Sequence, residues 1–166
     1  MHTLLRIAMI SMALLMAAAD GRAQGFDLIT AAEAQDEAKA GAAAPPEPPR
    51  TRGMPAPKPG QPVIRVVTPN TEATSGGTVP APLRIEVAFT PAPGTRIVPS
   101  TFRVLYGLLK IDLTDRIKKN ATVTETGVVV DQAKVPAGQH RLFLTVADDQ
   151  GNTAEQELRI RVGAAS

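Results

Sequence analysis

Residues Gly138 to Val162 read GQHRLFLTVADDQGNTAEQELRIRV, and this stretch decides the fold. Its first arm places Leu142, Leu144 and Val146 on one face, at the period of two that a half-buried strand requires. The second arm repeats the pattern with Leu158, Ile160 and Val162, leaving Glu157, Arg159 and Arg161 for water. Between them Asp148-Asp149-Gln150-Gly151-Asn152 has turn chemistry, because Gly and Asn accept positive φ and Asp bonds nearby backbone. Two strands alone cannot bury six aliphatic side chains, so the remaining strands must supply an opposing layer.

Upstream of the hairpin, short apolar alternations are broken by turn residues, which predicts an all-β sandwich. Val63 to Thr68 opens the series, and Pro69-Asn70 ends it. A polar loop from Thr71 to Val79 contains Ser75-Gly76-Gly77. Leu83, Ile85, Val87 and Phe89 alternate with Arg84, Glu86 and Ala88. Phe102, Val104 and Tyr106 alternate in the next strand; Leu109, Ile111 and Leu113 continue after Gly107, either by a turn back or through a bulge. Thr114 to Asn120 suits a single capped helical turn or a polar loop, and Val123 with Val128-Val129-Val130 gives one or two further strands. Val135-Pro136-Ala137-Gly138 has the residues of a β-turn. The total is seven or eight strands in residues 63–163, without an internal repeat.

The N-terminal third has a different texture. Met1 to Arg6 is a short basic start, Ile7 to Ala19 is apolar, and small residues follow. That apolar run makes roughly 20 Å of helix against a hydrocarbon core of about 30 Å, so residues 1–23 read as a signal peptide rather than an anchor. Cleavage is expected after Ala23, with Ala19 the alternative. The expected location is therefore periplasmic or secreted, with no membrane span left after cleavage. Residues 24–44 are expected to form a mobile, helix-prone tail. Thr30-Ala31-Ala32-Glu33 matches a capping box, which predicts a helix from Ala31 to about Ala40, stopped by Gly41. Phe26, Leu28 and Ile29 ahead of it form an apolar knob that a partner protein could hold. Residues 45–62, PPEPPRTRGMPAPKPGQP, carry proline at nearly every second position and favour polyproline II, a spacer on the order of 50 Å.

Composition excludes several classes. Formal charge is +2, and without the first 23 residues 16 bases face 15 acids, which gives no clustered basic face for nucleic acid. There is no Cys, so neither a disulfide framework nor a thiolate metal site exists.

From Pro136 onward the residues PAGQHRLFLTVADDQGNTA resemble the closing F–G hairpin of bacterial immunoglobulin-like domains, with their alternating aliphatics and Asp-x-x-Gly-Asn turn. Thr101 to Thr114 resembles their middle hairpin. The resemblance implies a Greek-key sandwich, and members of this group are mostly spacers, adhesion or binding modules and rarely enzymes. His140 stands where such domains often place Tyr, and the Cys pair and core Trp of antibody domains are absent.

Few residues are chemically armed. After Ala23 the single imidazole is His140, and Ser75 lacks the strand-to-helix setting of a nucleophile elbow. Asp112 with Asp115, or Asp148 with Asp149, would be the carboxylate pairs of a glycosidase, but adjacent Asp residues at a turn ordinarily hold the turn. Asp148, Asp149 and Asn152 offer the hard oxygens of a calcium site, without EF-hand spacing. His140 and Met54 cannot close a transition-metal shell. Phe143 is expected to point outward beside Arg141 and Thr145 and, with Leu105 and Val129, to make an apolar patch. Lys110, Arg116, Lys118 and Lys119 read as a solvated basic loop. The expectation is a non-catalytic, cofactor-free interaction or spacer module whose partner is a periplasmic or cell-surface protein. The alternative is a carbohydrate-binding or calcium-dependent adhesion domain.

Overall fold

The computed structural model of this chain describes residues 25–44, 59–70 and 78–163. The expected signal peptide, residues 45–58 of the proline-rich stretch and the Ser75 loop lie outside the described residues. The described residues form eight strands and two helices in the order β1 (Phe26–Asp27), α1 (Ala31–Ala43), β2 (Val63–Thr68), β3 (Leu83–Thr90), β4 (Ile97–Tyr106), β5 (Ile111–Asp112), α2 (Thr114–Asn120), β6 (Gly127–Lys134), β7 (Gly138–Asp148) and β8 (Thr153–Val162).

The strands form two four-stranded sheets, ordered β1-β6-β3-β2 and β5-β4-β7-β8, as an all-β sandwich requires. The period-two residues supply both inner faces. Leu83, Ile85, Val87 and Phe89 are buried in one sheet; Phe102, Val104, Tyr106, Leu142, Leu144, Val146, Leu158, Ile160 and Val162 are buried in the other. Phe89 and Phe102 meet across the layers with ring centroids 5.6 Å apart and planes tilted by 49°. The β7–β8 hairpin pairs Leu142 with Leu158 and His140 with Ile160, the register its alternation predicts.

The chain turns back after Tyr106 rather than bending. Gly107 (φ +67°) and Lys110 (φ +52°) carry the turn, and a Cβ at residue 107 would strike the Glu37 carboxylate. Only Ile111–Asp112 then pairs with Leu105 and Tyr106, so the strand expected from Leu109 to Leu113 shrinks to two residues. Leu113 is fully buried, and α2 lays Ile117 on the core.

The largest departure concerns residues 24–44, expected as a mobile tail. Its described part is docked on the sandwich. β1 runs parallel to β6, with Phe26 opposite Ala133 and Asp27 opposite Lys134. The Lys134 carbonyl accepts from Leu28 N at 3.0 Å, and Leu28 and Ile29 enter the core at 0% and 2% exposure. The capping box is formed: Thr30 N donates to Glu33 Oε2 at 2.9 Å, and Glu33 N to Thr30 Oγ1 at 3.3 Å. Helix α1 runs past Gly41 to Ala43 and ends where Ala44 becomes extended (φ −76°, ψ 144°) ahead of Pro45. Proline at the next position disfavours the helical conformation of Ala44, so Pro45 rather than Gly41 is the stop. Among the described residues, no helix is long and apolar enough to cross a membrane.

Candidate functional site

Among the described residues, His140, Asp148, Asp149 and Asp112 are each engaged in holding the fold. His140, on β7, is buried, and its Nε2 lies 2.8 Å from the Pro136 carbonyl. A carbonyl only accepts, so Nε2 carries the hydrogen, and Nδ1 of the neutral ring accepts from the Tyr106 hydroxyl at 3.0 Å. Burial pushes the His140 pKa down, against opposing contributions from the Pro136 hydrogen bond and the Glu37 charge. Tyr106 is pushed up to about 12, by burial first and then by the Glu37 and Glu33 carboxylates. The pair therefore sits with both groups neutral, a structural relay from β4 to the β6–β7 turn.

The calcium candidates belong to the β7–β8 turn. Asp148 is buried, and Oδ1 accepts from Gln150 N at 3.0 Å and Asn152 N at 2.8 Å, while Oδ2 accepts from Asn152 Nδ2 at 3.0 Å. Burial pushes the Asp148 pKa up, but the donors from Asn152, Gln150 and Thr95 outweigh it and leave the carboxyl below its usual range. Asp149 Oδ1 accepts from Arg96 N at 3.2 Å, tying the turn to the chain ahead of β4. Asp112, from the other carboxylate pair, accepts from Thr114 N at 2.8 Å. Among the described residues, no group of three or more His, Asp or Glu side chains is placed to hold a metal ion.

Three of the four residues read as partner contacts, Phe26, Leu28 and Ile29, are placed differently from expectation. Leu28 and Ile29 are core residues, and Phe26 is partly buried against the same core. They fill the domain's own interior and present no knob to a partner. Phe143 does face outward, opposite Leu105 on β4 and Glu157 on β8, but Lys110 Nζ sits 2.9 Å from its ring centroid in a cation–π contact. Val129 lies on β6 in the other sheet, so the expected patch of Phe143, Leu105 and Val129 does not form.

Arg116, read as part of a solvated basic loop, is instead the main electrostatic anchor of the N-terminal segment. Its guanidinium holds Glu33 at two points and also donates to the Leu28 carbonyl at 3.1 Å. The Arg116 hydrogen bonds bring the Glu33 carboxyl down to about 2. Farther along α1, Glu37 accepts from Leu108 N at 2.8 Å with both carboxylate oxygens. An open depression of about 370 Å³ lies along the seam, lined by Asp27, Ile29, Thr30, Lys134, Val135 and Pro136 among others.

What remains outward is an edge. β2 pairs only with β3 among the described strands. Phe89 N donates to Thr126 O, on the side away from β2, so the residue opposite Phe89, Ile64, turns its own N–H and C=O to the open edge. Beside them Val63 and Val67 stand 36% and 42% exposed on the outer face, with Arg65 between them. At the far end of the other sheet, the β4–β5 turn exposes Leu108 and Leu109. Compared with known proteins, the chain matches no family model, no curated protein and no solved structure.

Proposed function

We propose that this chain is a non-catalytic, exported immunoglobulin-like module that contacts another protein of the periplasm or cell surface. The observation that carries the reading is the open β2 edge, with outward Ile64 amide groups flanked by Val63 and Val67. An unpaired edge with aliphatic side chains is a template for an added strand: its main-chain groups give affinity and the alternate side chains give register. The strand order supports the immunoglobulin-like reading, since β2-β3-β6 and β5-β4-β7-β8 follow the A-B-E and C′-C-F-G arrangement of such sandwiches.

The test is capture of partners from an extract of the source cell's envelope on the immobilised chain, beside a Val63→Lys/Val67→Lys variant. Lysine on an edge strand discourages pairing without touching the buried face. The expected result is a specific protein retained by the unsubstituted chain and lost with the variant. Equal retention by both chains, or retention by neither, overturns the reading.

A further inference from the structure

Given the strand-addition role proposed for β2, on which this rests, we infer that its edge takes a short extended segment carrying a carboxylate between two apolar residues. The carboxylate meets Arg65, and the apolar residues lie beside Val63 and Val67.

Two prolines set the length. Ile64 turns its N–H and C=O to the open edge, and Val66, in register with Val87 as Ile64 is with Phe89, turns its N–H the same way. Pro62 holds the preceding position of the same phase and has no N–H to donate. Pro69 follows Thr68, the last residue of the strand, and the register shifts between Val66 and Thr68. The pairing window therefore runs from Ile64 to Val67 and suits a segment of about five residues.

The side chains set the chemistry. Arg65 is exposed on the outer face between Val63 and Val67. Ala88 stands opposite it on β3, with Gly127 beyond on β6, so no charge lies in its row. Glu86, farther along the same face of β3, is held by Arg84 at 3.6 Å. Among the described residues, Arg65 has no ion pair. An arginine between two valines on a pairing edge matches a carboxylate between two aliphatics, because opposite charges stabilise a cross-strand pair and like charges oppose it. That pattern reads the same in both directions, so it serves a parallel or an antiparallel added strand. β8, the end strand of the other sheet, is the contrast. Its outer face carries Glu155, Glu157, Arg159 and Arg161, and Glu157 is held by Arg141 and Arg159. Val79 N already donates to Arg161 O at 2.8 Å, and Gly163 N donates to Val79 O at 3.1 Å. Charge along that strand and a neighbour at its end discourage addition there.

The probe is a blocked heptapeptide, Ser-Val-Thr-Glu-Thr-Val-Ser, beside a second with Lys in place of Glu. Each is titrated into the isotopically labelled full chain and into its Arg65→Glu and Arg65→Gln variants, and amide chemical shifts are followed. The expected shifts centre on Ile64 to Val67. The Glu peptide should bind the unsubstituted chain about threefold to tenfold more tightly than the Lys peptide. The order should reverse in Arg65→Glu and vanish in Arg65→Gln. Thermal melts check that both variants fold; if Arg65→Glu does not, Arg65→Gln decides alone. Equal affinity for the two peptides, a preference that does not follow residue 65, shifts centred elsewhere, or no binding of either peptide overturns the inference. In each of those cases, an envelope protein retained by the unsubstituted chain and lost with Val63→Lys/Val67→Lys still leaves the edge role of β2 in place, so the two failures are separable.

Discussion

Arg116 and Glu33, 83 positions apart in the chain, meet in a two-point ion pair, Nη1 to Oε2 and Nη2 to Oε1 both at 2.7 Å. Glu33 keeps 16% side-chain exposure and Arg116 37%, so the pair is partly screened from water. The Glu33 pKa falls from 4.5 to about 2 on docking, so the undocked N-terminal arm, residues 25–44, takes up its proton first. The contribution of the pair is complete above about pH 4.5 and is lost as pH falls toward 2. Glu33→Gln should weaken docking by about 1–2 kcal/mol after allowance for solvent screening, and should flatten that acid limb. Hydrogen exchange of the α1 amides as a function of pH measures both.

A second, higher window belongs to His140. Its folded pKa lies below the ordinary 6.5, so the unfolded chain binds the proton more readily and stability declines as pH falls below about 6.5. Denaturant unfolding between pH 7.5 and 5, on the order of two to three decades of proton activity, should show this slope, and His140→Gln should remove it. Tyr106→Phe at neutral pH should cost about 1–2 kcal/mol, because it leaves buried Nδ1 without a donor.

Leu28→Ala tests whether the arm unfolds separately from the sandwich. Truncation of a fully buried Leu removes about 2–5 kcal/mol where the site cannot relax. Here the arm can leave, and the loss is capped at its docking free energy. The expected outcome is rapid proteolysis and exchange in residues 25–44 with unchanged protection in β3 and β7. Uniform loss of protection across all strands would show that arm and body unfold as one unit.

Asp148 should matter to the turn and not to a cation. Asp148→Ala removes the acceptor for Gln150 N, Asn152 N and Asn152 Nδ2, and should lower the Tm. Calcium added to the unsubstituted chain should leave the Tm where it is, since the carboxylate oxygens already serve the turn. A calcium-dependent rise in Tm that disappears in Asp148→Ala would contradict this.

The sandwich was legible wherever side chains alternate without interruption, as from Leu83 to Phe89 and from Leu142 to Val146. Each of those runs reports its own buried face, and no knowledge of a partner strand is needed. The slot for the N-terminal segment was not legible, because a strand of two residues, Phe26 and Asp27, has no period to display. Its partners, Ala133 and Lys134, lie more than 100 positions away, and the only local signals were the capping box and three apolar residues. Leu109 misled for the opposite reason: it stands in phase with Ile111 and Leu113, yet Gly107 and Lys110 spend those residues on a turn. Arg116 could be recognised only after folding, since nothing in its own neighbourhood names Glu33.

The chain carries a single tyrosine and no tryptophan. Its near-ultraviolet emission therefore comes from one phenol, and that phenol is 1% exposed and hydrogen-bonded to a buried imidazole. Light collected from the whole molecule reports on the junction of β4 with β7, within the field of the Glu37 carboxylate on α1. Without any added dye, the protein carries a built-in optical gauge of the packing of β4 against β7.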